Sequence, residues 1–282
     1  MSPLLLIAAC LSAPPGDAAT ARSTDTVLLL GGTMVEREQE HGHWEAAIRL
    51  ADRDTRYRVR NLAWSGDTVW AESRGRFDPP PVAYTQLIEE AAAIAPSRIV
   101  LGYGTAEAYS DVTPDDFVAQ LTKLIEDLPP ASLVVLGTNR VGLARLPEAV
   151  RKARAERLEA FDAILKRVAA KHDARFVSLA EYSAADLTSD GIQWNDSGYA
   201  ATAATVAEAF AEAEPLTPSN ELLAAIRQKN RLVFHRYRPQ NMTYLKLFRK
   251  HEQGQNAVEI EQFETSIEAA DAAIDALIAN RE

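Results

Sequence analysis

Five short apolar runs, each ended by glycine or a polar residue and separated by longer amphipathic stretches, constrain this chain more than any other feature. They are Val27–Gly31, Tyr57–Leu62, Ser97–Gly102, Ser132–Gly137 and Ala174–Leu179. Runs this short and this continuously apolar suit strands buried on both faces. Helical patterns lie between them over Met34–Leu50, Tyr84–Ile94, Phe117–Asp127 and Arg151–His172, and a further one follows over Asp196–Ala211. Thr113-Pro114-Asp115-Asp116 is a helix-start signal with proline in the first turn. Leu158, Phe161, Ile164, Leu165 and Val168 recur on one helical face. Strict β-α alternation predicts an α/β fold: a three-layer, doubly wound parallel sheet of about five strands joined by right-handed crossovers. In such sheets ligands meet the loops at the carboxyl ends of the strands.

The rest of the chain falls outside that alternation. Leu4–Ala13 is apolar but too short to span a bilayer. Ala19-Thr20-Ala21 fits a signal-peptidase site before Arg22, and Ile7-Ala8-Ala9-Cys10 resembles a lipobox, although no Lys or Arg precedes the apolar run. Residues 1–24 are therefore expected to be a leader and the protein to be exported, periplasmic or secreted, with lipid attachment at Cys10 as a variant of that route. Cys10 is the only cysteine, so no intrachain disulfide can form. Glu214-Pro215-Leu216-Thr217-Pro218 marks a boundary between a domain over 25–214 and a helical C-terminal extension over 215–282. The extension holds a basic, aromatic stretch, Arg227–His251, and a final helix over Ile260–Ile278, expected to pack on the main domain. A formal net charge of -10 excludes nucleic acid as the main partner, because phosphate binding needs a positive field.

Four strand-end loops carry the candidate chemistry. The first is Gly31-Gly32-Thr33, which opens a helix and can offer backbone N–H groups to an anion or developing oxyanion. The second is Trp64-Ser65-Gly66-Asp67-Thr68, and the third Gly102-Tyr103-Gly104-Thr105-Ala106-Glu107. The last is Asp190-Gly191-Ile192-Gln193, followed by Trp194-Asn195-Asp196-Ser197-Gly198-Tyr199.

In order and context these loops resemble the four blocks of SGNH/GDSL hydrolases, over about residues 25–212. His235-Arg236-Tyr237-Arg238-Pro239-Gln240-Asn241, with His251-Glu252-Gln253-Gly254, resembles an extension of planctomycete members, which implies a bacterial source. The resemblance implies a flavodoxin-like sheet, no cofactor, and ester hydrolysis by a serine nucleophile, a histidine base held by aspartate, and an oxyanion hole of serine, glycine and asparagine. The expected ligand is a small-molecule, glycan or acyl ester.

Carried over residue by residue, the resemblance places Thr33 at the nucleophile, Gly66 at one oxyanion donor, Ala106 at the asparagine, Asp190 at the orienting acid and Gln193 at the histidine. Gly32, Ser65, Asp67, Thr105 and Glu107 are expected beside them, against substrate. Thr33 keeps a hydroxyl, but its β-methyl restricts χ1. Ala106 removes a donor, and an amide at Gln193 cannot take up a proton near neutral pH. Among the histidines, His41 and His43 lie two to three turns along the first helix from Thr33, roughly 12–15 Å away at 1.5 Å per residue. His172 is expected near the opposite sheet edge, His251 lies in the extension, and only His235 could fold back over the site. Glu36, Asp67, Glu107 and Asp190 could instead converge as an oxygen-ligand cation site, but they show no spacing signature and Arg37 is a candidate partner for one of them, so no metal is expected.

Overall fold

The computed structural model describes residues 22–52, 54–75, 78–141, 143, 146–211, 217–245 and 247–280. The stretch expected as a leader, apart from its last three residues, and the expected 214/215 boundary lie outside them. Strand β1 (Ser23–Gly31) starts two residues inside the stretch read as leader; Ser23 and Thr24 pair with Thr55 and Arg56. With β2 (Thr55–Asn61), β3 (Arg98–Gly102), β4 (Ser132–Leu136) and β5 (Arg175–Val177) it forms one parallel sheet of order β2-β1-β3-β4-β5. The chain steps outward from β1 to β2, then crosses back over β1 to β3. The crevice of such a sheet lies at that reversal, between the ends of β1 and β3.

Both sheet faces are buried, as continuous apolar strands require. Val27, Leu29, Val59, Val100 and Val134 face one layer, and Leu28, Leu30, Ile99, Leu101 and Val135 face the other. The first layer contains α1 (Thr33–His41), α2 (His43–Ala51) and, later in the chain, a helix over Asp196–Ala207. The second contains α3 (Pro80–Ile94), the one-turn α4 (Thr105–Ala108), α5 (Pro114–Asp127) and α6 (Glu148–Lys171). The Asp196–Ala207 helix is α7.

The single helix expected over Met34–Leu50 is two. Gly42, at φ 76°, ends α1 in the left-handed conformation that glycine adopts without steric cost. A Cβ there would also lie 3.0 Å from Ile226 Cγ2. The break exposes backbone donors at the start of α2, and Glu38 satisfies two of them: its Oε1 accepts from the N–H groups of Trp44 (2.7 Å) and Glu45 (3.1 Å). Burial pushes the Glu38 carboxyl well above its ordinary range, against those two hydrogen bonds.

The C-terminal stretch is helical. It comprises α8 (Asn220–Tyr237), the short α9 (Met242–Leu245), α10 (Lys250–Gln253) and α11 (Ala257–Glu261), and α12 (Phe263–Ala279). Leu222, Leu223 and Ile226 of α8 and Ile274 of α12 form an apolar cluster with Ala46 and Leu50 of α2. Beside it lies a buried ionic network. Lys229, fully buried, donates to Glu45 Oε2 (2.8 Å) and to the Val59 carbonyl (2.9 Å). Arg49 Nε donates to Glu45 Oε1 (2.8 Å), and Asp271 of α12 accepts from Arg49 and from Arg60 Nη1 (2.8 Å). These charges fasten α8 and α12 to α2 and the edge strand β2, whose unpaired backbone would otherwise invite another chain.

Candidate active site

The four strand-end loops form a closed ring of contacts at the carboxyl end of the sheet. Gly31 and Gly102 pair across β1 and β3, and the Gly32 N–H donates to the Gly102 carbonyl (3.2 Å), so the first helix starts at the sheet's crevice. Thr33 is its first residue. Thr33 Oγ1 accepts from the Gly66 N–H (2.8 Å) and the Ser65 hydroxyl (3.5 Å), which joins the first loop to the second. The hydroxyl and the N–H that the resemblance sets at the nucleophile and oxyanion positions are thus bonded to each other. Gly32 is closely covered: a Cβ would lie 2.9 Å from the Asp67 carbonyl oxygen. A side chain there would force the second loop outward.

Asp67 and Glu107, expected against substrate, lie beneath the site, and both are fully buried. Asp67 Oδ2 accepts from Arg74 Nε (2.6 Å), while Arg74 also donates to the Leu62 carbonyl (2.7 Å). This ties the two ends of the second loop together. Burial raises the Asp67 carboxyl despite the Arg74 charge. Glu107 Oε1 accepts from the Val69 N–H (2.9 Å) and its Oε2 from the Gly104 N–H (2.8 Å), joining the second loop to the third. Its carboxyl is raised by burial, which outweighs those bonds. In sequence these two residues look like ligand-facing acids; in the fold they replace backbone partners that the irregular loops lack.

The third loop meets the fourth through Asn139, a residue the sequence reading passed over. Its N–H donates to Thr105 Oγ1 (3.0 Å), and its Nδ2 donates to the Ile192 carbonyl (3.3 Å). The available signal was positional: Asn139 follows β4 at the carboxyl edge of the sheet. Ala106 sits half-buried on α4 and brings no side-chain donor.

The fourth loop closes the ring on α1. Asp190 Oδ1 accepts from the N–H groups of Ile192 and Gln193, both at 2.8 Å, and from the Thr188 hydroxyl (3.2 Å). The Gln193 N–H contributes most to holding this carboxyl below its ordinary range. Asp190 Oδ2 pairs with Arg37 Nη1 (3.2 Å). Arg37 follows Thr33 by one helical turn and shares its face. The acid that the resemblance sets at the orienting position therefore holds a guanidinium. Gln193, half-buried, has a buried Oε1 with no hydrogen-bond partner.

The histidines are engaged elsewhere. His41 Nδ1 and His43 Nε2 each lie 3.2 Å from Asp196 Oδ1, which also accepts from Arg227 (2.9 Å). Burial holds His43 below its ordinary range. The His235 ring lies against Phe234 and Phe263, between α8 and α12. His172 caps the C-terminus of α6 and His251 lies beside Glu252. Among the described residues no histidine forms a hydrogen bond or ion pair with Thr33 or Asp190, and no group of three or more His, Cys, Asp and Glu is placed to hold a metal ion. The residues weighed for such a site are separately engaged, Glu36 with Arg238 (3.1 Å) and Gln39 (2.6 Å).

Arg238 brings the C-terminal stretch to the edge of this ring. It donates to the Ala63 carbonyl at the start of the second loop, and its guanidinium lies 4.4 Å from the Trp64 ring centroid. The Arg74 guanidinium lies 5.6 Å from the same centroid. Burial draws Arg238 down to about 10, against the Glu36 charge.

Comparison with known proteins agrees with this fold. Several solved structures share the fold. An alpha/beta hydrolase from the metagenome of Lake Arreo, Spain, is 14% identical with a TM-score of 0.52, over 67% of this chain and 96% of that one. A lipase/acylhydrolase from Enterococcus faecalis is 16% identical with a TM-score of 0.51, over 69% and 100%. A variant of an acetyl xylan esterase from Geobacillus stearothermophilus is 14% identical with a TM-score of 0.53, over 70% and 99%. No curated protein sequence matches. The model of the GDSL-like lipase/acylhydrolase family matches residues 16–203, two-thirds of the sequence, and the chain belongs to that family.

Proposed function

We propose that this protein is an exported bacterial member of the family whose catalytic framework is kept while its catalytic side chains are replaced, so that ester hydrolysis is weak, altered or absent. One observation carries the reading. Thr33 Oγ1 is hydrogen-bonded to the Gly66 N–H at 2.8 Å, while Asp190 is paired with Arg37 and Gln193 takes the place of a base. A hydroxyl needs a proton acceptor to become a nucleophile. Asp190 is a poor acceptor at neutral pH, because a carboxyl held low gives its proton up readily. The oxyanion hole is also short of a donor at Ala106, a loss that typically costs roughly a hundred- to a thousand-fold in rate.

A second reading, a non-catalytic glycan- or acyl-ligand-binding protein of the cell envelope, is favoured by the buried, unpartnered Oε1 of Gln193, an acceptor that a ligand hydroxyl would satisfy. Hydrolysis of p-nitrophenyl acetate by the wild type and by Thr33→Ala separates the two. Turnover abolished by the substitution identifies Thr33 as a working nucleophile and rejects the non-catalytic reading. Wild-type turnover at the buffer rate rejects the residual esterase.

A further inference from the structure

A cavity of about 740 Å³ lies between α3, β2 and the C-terminal helices, away from the Thr33 hydroxyl. That volume is within the range of small-molecule sites, about 300–1,000 Å³. The cavity is elongated along the sheet. Thr26 lines one end, in register with Arg58, and Trp64 lines the other, where its N–H donates to the Gly31 carbonyl. From Thr26 to Gly31 at about 3.3 Å per residue is roughly 16 Å.

Its charges are separated. Arg58 stands at the Thr26 end. Asp78 stands toward the Trp64 end: its N–H is bonded to Gly75, which follows the Arg74 that lies over Trp64. Glu89 and Glu90 of α3 line one long wall, and Arg236 of α8 lines the cavity from the C-terminal side. The other two lining arginines are held in ion pairs, Arg60 by Asp271 and Arg74 by Asp67, while Arg58 has Asp275 of α12 as an electrostatic neighbour. Among the described residues, Arg58 and Arg236 form no ion pair with Asp78 or Glu89 across the cavity. Arg236 packs its guanidinium 5.3 Å from the Tyr237 ring centroid, and its buried Nε has no hydrogen-bond partner. A buried donor left without an acceptor costs about 1–3 kcal/mol, a cost a bound acceptor would remove.

This polarity selects among ligand classes. A purely anionic ligand would face Asp78 and Glu89, and a purely cationic one would face Arg58 and Arg236. A molecule with an ammonium at one end and a carboxylate at the other meets an opposite charge at each. A single amino acid is too short for a cavity roughly 16 Å long, whereas an extended peptide of four residues spans up to about 14 Å. Its carbonyl groups would meet the Arg236 guanidinium and its amides the Glu89 carboxylate. We propose that this cavity binds a short peptide with free termini, its ammonium at Asp78 and its carboxylate at Arg58. The proposal does not rest on the chemistry at Thr33.

Isothermal titration of the full chain with tetraalanine tests it. Binding is expected, with at least a ten-fold loss when the peptide is N-acetylated and a similar loss when it is C-amidated. Arg58→Ala, at an exposed position on the edge strand, should weaken tetraalanine ten-fold or more and leave the amidated peptide unchanged. No heat with millimolar tetraalanine overturns the proposal. So does equal binding of the capped and free peptides, or a neutral trisaccharide binding more tightly than tetraalanine. Circular dichroism of Arg58→Ala confirms that a loss belongs to the site and not to unfolding.

Discussion

Asp271→Ala is the sharpest perturbation of the joint between the C-terminal helices and the sheet. Asp271 is 3% exposed and accepts from two buried guanidiniums, Arg49 and Arg60. Three cations, Arg49, Arg60 and Lys229, share this interior with two buried anions, Glu45 and Asp271. Without Asp271, the remaining buried anion of the network, Glu45, pairs with Arg49 and Lys229 and leaves Arg60 without a buried carboxylate. Arg60 keeps the Val59 carbonyl and a 3.5 Å contact with the more exposed Glu264, and Arg49 keeps Glu45 and a 3.5 Å contact with Asp275. Removing one partner of a buried ion pair costs about 3–5 kcal/mol. At about 2–4 °C per kcal/mol for a chain of this size class, Tm should fall by roughly 6–20 °C. Urea unfolding followed by circular dichroism gives the free energy directly. Burial alone would raise the Asp271 carboxyl, but Arg49, Lys229 and Arg60 outweigh it and hold it low. The stabilisation is therefore complete above the ordinary carboxylate range and is lost as pH falls through the depressed value, so the gap between wild type and variant should close in acid. A loss below about 1 kcal/mol at neutral pH, the size of an exposed pair, would refute the claim that these charges hold the helices in place.

Other consequences follow from the same contacts. Burial draws Lys229 down to about 8, against the pull of Glu45. Between that value and about 10.5 the unfolded chain binds more protons than the folded one, so this group makes the protein more stable as pH rises; Lys229→Met should remove that part of the slope, read by urea titrations at pH 7, 9 and 10. Asn139→Ala leaves the Val141 N–H without its 3.0 Å acceptor and releases the Ile192 carbonyl. It should cost about 1–3 kcal/mol and speed amide hydrogen exchange at Ile192 and Gln193. In a Gln193→His protein the new imidazole should titrate higher once Arg37→Ala frees the Asp190 carboxylate, which histidine NMR measures; Arg37→Ala alone, breaking a half-exposed pair, should change stability by less than about 1 kcal/mol.

The sheet was legible because each strand is a short apolar run buried on both sides, and the order of elements left few ways to connect them. The break at Gly42 was not, because apolar spacing continues across it and the cause, close packing against Ile226, comes from residues far along the chain. The four loops could be found from their place after strands and their family-like order. Their internal wiring could not. Asp67 and Glu107 are acids of the kind that face ligands, yet the fold engages them with Arg74 and with backbone N–H groups. The joint with the C-terminal helices was hidden for a related reason: no local pattern sets Lys229, Arg49 and Arg60 apart from other charged residues, and their partners come from distant segments.

The central claim is that the framework of an ester hydrolase survives while its working side chains do not. Restoring them tests it most directly. The triple variant Thr33→Ser, Ala106→Asn and Gln193→His should hydrolyse p-nitrophenyl acetate. The double variant Thr33→Ser and Gln193→His, which keeps Ala106, should fall below the triple variant in kcat/KM by roughly a hundred- to a thousand-fold. The wild type should stay near the buffer rate. A folded triple variant with no gain, or a wild type already turning over at enzymatic rates, would contradict the account.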